Sequence, residues 1–171
     1  MAETLNVVVM GVSGCGKSTL GALLACRLKL PFLEGDTLHP PENVARMAAG
    51  VALTDADRAG WLALLAARLA HARAQGSGLV LSCSALKRAY RDLLRQADPQ
   101  LRLVYLYGPQ ALLAGRMAQR QGHYMPASLL GSQLATLEPP QPDEQALALD
   151  IGHPPAELVA RACAHLAPRT A

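Results

Sequence analysis

The chain has almost no aromatic side chains: one Trp, one Phe and four Tyr in 171 residues. Hydrophobic residues still make up 51%, so the interior is expected to be aliphatic, built from Leu, Val and Ala. Long apolar runs are missing as well. None reaches the roughly 18–20 residues of a membrane span, and Met1-Ala2-Glu3-Thr4 lacks the basic start of a secretory signal. The expectation is a soluble cytoplasmic protein. An excess of one charge is absent too: 16 Lys and Arg stand against 13 Asp and Glu, for a net charge of +3. That surplus is too small to imply nucleic-acid binding without a clustered patch. The four cysteines, Cys15, Cys26, Cys83 and Cys163, form no C-x-x-C pair and no disulfide framework, which fits a reducing compartment. The five histidines have no zinc-ligand spacing. No internal repeat or low-complexity linker divides the chain, so residues 1–171 read as one domain.

What is present is a motif in its proper context. Residues 11–18 read Gly-Val-Ser-Gly-Cys-Gly-Lys-Ser, a full match to the G-x-x-x-x-G-K-[ST] phosphate-binding loop. The β-branched run Leu5–Met10 precedes it, and Leu20, Leu23, Leu24 and Leu28 follow at helical spacing. Strand, glycine loop and helix thus occur in the required order. Gly11, Gly14 and Gly16 let the backbone curl so that its N–H groups face phosphate oxygens at the positive end of a helix. Lys17 supplies a cation for the β- and γ-phosphates, and Ser18 a hydroxyl for magnesium. Cys15 has two readings: a thiol with a lowered pKa at a helix start, open to oxidation, or a small residue at a free position of the loop.

The remainder alternates strands and helices. Strands are expected at 31–36, 79–82, 101–106 and 146–150. Helices are expected at 42–49, from Thr54 to about 74, at 85–96 with Ser84 as cap, at 109–121, near 127–137 and at 156–166. This alternation predicts an α/β fold: a parallel sheet with right-handed crossovers and helices on both faces. Ligands then gather at the carboxyl ends of the strands.

Those strand ends hold the residues that carry chemistry. Asp36 is the carboxylate best placed to face the phosphate loop, either to accept a proton from an attacking hydroxyl or to hold magnesium through water. An ordinary turn aspartate beside a glycine has the same local signature. His39 suits a polyol hydroxyl. Arg58, Lys87, Arg88 and Arg91 are candidate anchors for an anionic acceptor, and Lys87 and Arg91 share a helix face; a solvated basic face reads identically. Arg116 and Arg120, also four apart, precede Gly122-His123. Two readings stand for them: lid arginines brought onto the triphosphate, or C-terminal cations favoured by a helix dipole.

Taken together, Gly11–Ser18, Leu33-Glu34-Gly35-Asp36-Thr37-Leu38-His39-Pro40, Leu53-Thr54-Asp55-Ala56-Asp57-Arg58, Ser82-Cys83-Ser84-Ala85-Leu86-Lys87-Arg88, Tyr90-Arg91-Asp92, Gly122-His123-Tyr124-Met125 and Ser132-Gln133-Leu134-Ala135-Thr136-Leu137-Glu138-Pro139 resemble the small P-loop gluconokinases. The resemblance runs from about residue 6 to 165 and departs mildly at Cys15 and Tyr124. It implies the P-loop kinase fold of the shikimate and nucleoside-monophosphate kinases, with a five-stranded parallel sheet and a small lid over residues 119–140. It implies magnesium-dependent transfer of the γ-phosphoryl group of ATP to the 6-hydroxyl of D-gluconate, and frequently a homodimer. Nucleotide contacts are then expected from Gly11, Ser13, Gly14, Cys15, Gly16, Lys17, Ser18, Thr19, Arg116 and Arg120, and adenine contacts from residues 150–155. Acceptor contacts are expected from Asp36, His39, Arg58, Lys87, Arg91 and Gln133, metal contacts from Ser18 and Asp36, and catalytic roles for Lys17, Asp36 and Arg120. The competing readings are a kinase of the same fold acting on another sugar acid or a shikimate-like acceptor, and a nucleotide switch. The switch has no Asn/Thr-Lys-x-Asp guanine-reading motif to support it.

Overall fold

The computed structural model describes residues 4–120 and 126–167. Its frame is five strands, β1 (Asn6–Met10), β2 (Phe32–Glu34), β3 (Leu79–Ser82), β4 (Arg102–Tyr107) and β5 (Leu147–Asp150), in the spatial order β2-β3-β1-β4-β5. Every pairing is parallel. Among the described residues the helices are α1 (Lys17–Leu28), α2 (Pro41–Ala48), α3 (Asp55–Gln75), α4 (Arg88–Ala97), α5 (Gln110–Ala118), α6 (Leu129–Thr136) and α7 (Pro155–Leu166).

The central strand shows why Val7–Met10 is a continuous apolar run. Successive side chains of a strand point to opposite faces, and both faces of β1 are covered. Val7 and Val9 enter one core with Leu20 and Leu24 of α1 and Leu158 of α7. Val8 and Met10 enter the other with Trp61, Leu65 and Leu69 of α3 and Leu94 of α4. All four strand residues are fully buried, as a parallel sheet sandwiched between helices requires.

Helix α3 starts where its polar signal places it. The Thr54 hydroxyl accepts the Asp57 N–H at 3.2 Å and the Asp57 carboxylate accepts the Thr54 N–H at 2.8 Å, a reciprocal cap. Gly76, with φ of 65°, closes the other end. Helix α4 starts later than expected. Ser84 does not cap it; Lys87 precedes its first turn and the helix begins at Arg88. Residues 83–87 instead form a loop in which Ala85 takes a φ of 45°, a conformation that costs a non-glycine residue about 1 kcal/mol.

The chain leaves β1 towards the β2 edge of the sheet and leaves β4 towards the β5 edge. Where adjacent strands send their connections in opposite directions, a crevice opens at their carboxyl ends. The phosphate loop lies in that crevice.

Candidate active site

The loop is shaped by close backbone approaches. Gly11 has a φ of 147°, and a Cβ there would lie 2.6 Å from the Leu106 carbonyl oxygen and 2.7 Å from the Cys15 sulfur. Cys15 is thereby turned inward and is only 2% exposed. Gly16, with φ of 92°, precedes α1, and no side chain caps the first-turn amides. A helix start with uncapped N–H groups and no acidic residue is ready for an anion. Lys17 folds back over the loop, its Nζ donating to the Val12 carbonyl at 3.0 Å. Ser18 and Thr19 are exposed beside it. From α6, Gln133 Oε1 accepts the Ser13 N–H at 2.7 Å, so Gln133 touches the loop directly.

A cleft of about 240 Å³ opens on one side of the loop. Gly14, Gly16, Thr19, Arg116 and Arg120 line its polar end, and Leu106, Ile151 and Leu158 its apolar wall. Arg116 is steadied by donating from Nη2 to the Ile151 carbonyl at 2.9 Å. Cations and amides at one end with aliphatic carbon at the other suit a flat base attached to a chain of phosphates.

On the opposite side of the loop lies a smaller, polar cleft that Lys17, Asp36, His39, Arg58, Ser84 and Gln133 share. Asp36 and His39 reach it from a tight turn at Gly35–Leu38 that directly follows β2. That turn hugs the neighbouring strand: a Cβ on Gly35 would sit 2.2 Å from the Ser82 carbonyl oxygen. Trp61 of α3 fixes it from below, its Nε1 donating to the Gly35 carbonyl at 2.8 Å. The His39 ring stacks on Trp61 with centroids 4.1 Å apart and planes 14° from parallel. Burial pulls the His39 imidazole below its usual pKa, an effect that the Asp36 carboxylate opposes and the Arg58 guanidinium reinforces. A neutral ring keeps one nitrogen as donor and one as acceptor. Its Nδ1 is buried with no partner among the described residues, and such an atom is costly unless a ligand meets it. Trp61 escapes sequence reading because a lone tryptophan at helical spacing reads as core, which its 2% exposure also makes it.

Arg58 donates from Nη1 to the Tyr90 hydroxyl at 3.2 Å, and that hydroxyl donates to Asp55. Lys87 stands one step back from the cleft, its Nζ paired with Asp55 at 2.9 and 3.0 Å. Arg91 is a correction. Expected at the acceptor, it is fully buried and forked onto Glu144, with Nε donating at 2.7 Å and Nη2 at 2.9 Å. Residue 91 lies on the core-facing side of α4, where Glu144 and the Ala85 and Leu86 carbonyls take up its guanidinium. Gly122-His123-Tyr124-Met125 of the expected lid lies outside the described residues; of that segment, α6 is the part seen against the loop.

A phosphate loop at the switch point of a parallel sheet, flanked by a base-shaped cleft and a polar acceptor cleft, defines a P-loop phosphotransferase. Residues 7–140 match the family model described as an AAA domain. A gluconokinase of Gluconobacter oxydans is 55% identical over 138 residues, covering 81% of this chain and 78% of that protein. Among solved structures, an unliganded sugar kinase from Janibacter sp. has a TM-score of 0.92 at 48% identity, covering 96% of each chain. A gluconokinase from Sinorhizobium meliloti has a TM-score of 0.87 at 49% identity, covering 98% of this chain and 94% of that one. The chain belongs to the gluconokinase family.

Proposed function

We propose that the protein transfers the γ-phosphoryl group of ATP to the 6-hydroxyl of D-gluconate, giving 6-phospho-D-gluconate and ADP. The observation that carries this reading is the meeting of two unlike clefts at one loop, with Lys17 and Asp36 in the same small polar cavity. The loop amides and Lys17 bind the phosphates, and Arg116 and Arg120 balance charge on them from the base side. Asp36 receives the proton of the attacking hydroxyl. His39 and Arg58 meet the polyol and the carboxylate of the sugar acid, where a guanidinium offers two parallel hydrogen bonds. Gln133 completes the wall on the α6 side.

Among the described residues no group of three or more His, Cys, Asp or Glu gathers to hold a metal unaided. The exposed Ser18 hydroxyl and the half-buried Asp36 carboxylate fit magnesium, which keeps much of its shell as water and phosphate oxygen. Bound there, the ion would supply charge neutralisation on the phosphates. No described helix is long and apolar enough to cross a membrane. All four cysteines are free, which supports a reducing, cytoplasmic setting; a homodimer is proposed from the family resemblance.

The test is ADP release measured with magnesium-ATP over a panel of sugar acids, shikimate and nucleoside monophosphates. Gluconate is expected to give the largest stimulation, and its failure to stimulate overturns the reading.

A further inference from the structure

We propose that Arg91 is a positioning residue for phosphoryl transfer, a buried guanidinium that sets the shape of the Ser84–Lys87 loop and through it the wall of the acceptor cleft. The proposal rests on the kinase reading above.

Burying a charged pair is expensive, and well-packed apolar side chains of similar volume are often as stable. Stability alone therefore does not explain why Arg91 at 0% exposure faces Glu144 at 6%. The bonds show what the pair holds. Two edges of the guanidinium are taken by Glu144, and its remaining Nη1 donates to two successive backbone carbonyls, Ala85 at 2.9 Å and Leu86 at 3.2 Å. The two carbonyls directly follow the strained step at Ala85, whose φ is 45°. A lysine has the charge for this position but not the planar fork.

The residues before and after that step are tied to two different segments of the chain. The Ser84 carbonyl accepts the N–H of Gly11, the first residue of the phosphate loop, at 3.3 Å, and Ser84 lines the acceptor cleft. The Leu86 carbonyl also accepts the Glu138 N–H at 2.8 Å, and the Glu138 carboxylate in turn accepts the Arg88 N–H at 2.8 Å. Glu144 is itself braced by Arg95 Nη1 at 3.1 Å and by the Gln141 N–H at 2.9 Å. Arg91 touches no reacting group. It joins the segment between α6 and β5, the start of α4 and the loop beside the phosphate-binding turn into one piece, so the acceptor wall and the phosphate loop keep their spacing.

Two variants separate positioning from bulk stability. Arg91→Lys keeps a charge opposite Glu144 without the fork; the double variant Arg91→Met with Glu144→Leu removes both charges and keeps the volume filled. Expected in both is a rise of about ten- to a hundredfold in KM for the acceptor, with KM for ATP unchanged. Hydrogen exchange of the peptide spanning residues 84–92 should accelerate by about tenfold, while peptides from α1 and α3 keep wild-type rates. A folded double variant with wild-type acceptor KM overturns the proposal, as does an equal loss for both substrates that follows the thermal midpoint. Should the double variant not fold, Arg91→Lys is judged by the same split. Wild-type enzyme is run first: no turnover of gluconate sinks the functional reading alone, and the split is then read with whichever acceptor of the panel it phosphorylates.

Discussion

Lys17 donates to the carbonyl of Val12 within its own loop, so its charge is already placed before any phosphate arrives and little reorganisation is left for the reaction. Lys17→Ala is expected to lower kcat by about a hundred- to a thousandfold, with circular dichroism unchanged because the side chain supports no helix or strand. Asp36 differs: its carboxylate accepts no hydrogen bond from the described residues and is available to a substrate hydroxyl. Asp36→Asn keeps the size and removes the base, and kcat should fall by about a hundred- to ten-thousandfold without loss of thermal stability. Near-normal turnover of either variant with magnesium-ATP would remove the role assigned to it. These two residues were legible because a motif or a strand end announces each. Arg91 was not. Its spacing from Lys87 is that of a shared helix face, but Lys87 lies just ahead of the helix, and only the burial of Glu144 reveals what the arginine faces.

At the scale of elements, the turn after β2 depends on a residue with no side chain. Gly35→Ala would drive a Cβ into the Ser82 carbonyl, a backbone atom that cannot swing aside. The ends of β2 and β3 must then part, at a cost of about 1–3 kcal/mol, and Asp36 and His39 move with them. The expected outcome is a lower thermal midpoint together with a raised acceptor KM; a lower midpoint with unchanged acceptor KM would mean that the turn does not set the cleft. Most elements were readable from period and punctuation: the apolar run of β1, the Thr54 cap of α3, Gly76 behind it. The start of α4 was misread because Ser84 has the chemistry of a cap, while its carbonyl is already engaged by Gly11 and the next two by Arg91. Such competition is between distant parts of the chain and leaves no local signal.

For the molecule as a whole, the same ion pair makes stability depend on acidity. Burial by itself would raise the Glu144 carboxyl, but hydrogen bonds from Arg91, the Gln141 N–H and Arg95 outweigh it and hold the group at about 2, against an ordinary value of 4.5. A carboxyl depressed in the folded state stabilises fully above its unfolded pKa and ceases to do so as pH falls through the folded one. Thermal midpoints should therefore decline from about pH 4.5 towards pH 2, and Glu144→Gln should flatten that part of the curve. An unchanged slope in the variant would assign the acid sensitivity elsewhere. The parallel sheet with helices on both faces, and the gathering of the site at its carboxyl ends, follow from the alternation of strands and helices and were expected on that ground; the strand order β2-β3-β1-β4-β5 was not. The far end of the sheet was opaque. Asn6, polar in an otherwise aliphatic strand, donates to the buried Asp98 at 2.8 Å and to the Leu69 carbonyl at 3.0 Å, partners that lie beyond any local pattern.

The scarcity of aromatics has a practical side. The chain's one tryptophan lies under His39, against the floor of the acceptor cleft and away from the base cleft. Its emission is thus an intrinsic reporter at a single address: a ligand that meets His39 should change the spectrum, whereas a nucleotide alone should change it little. The two binding events can in this way be followed separately in the unlabelled protein.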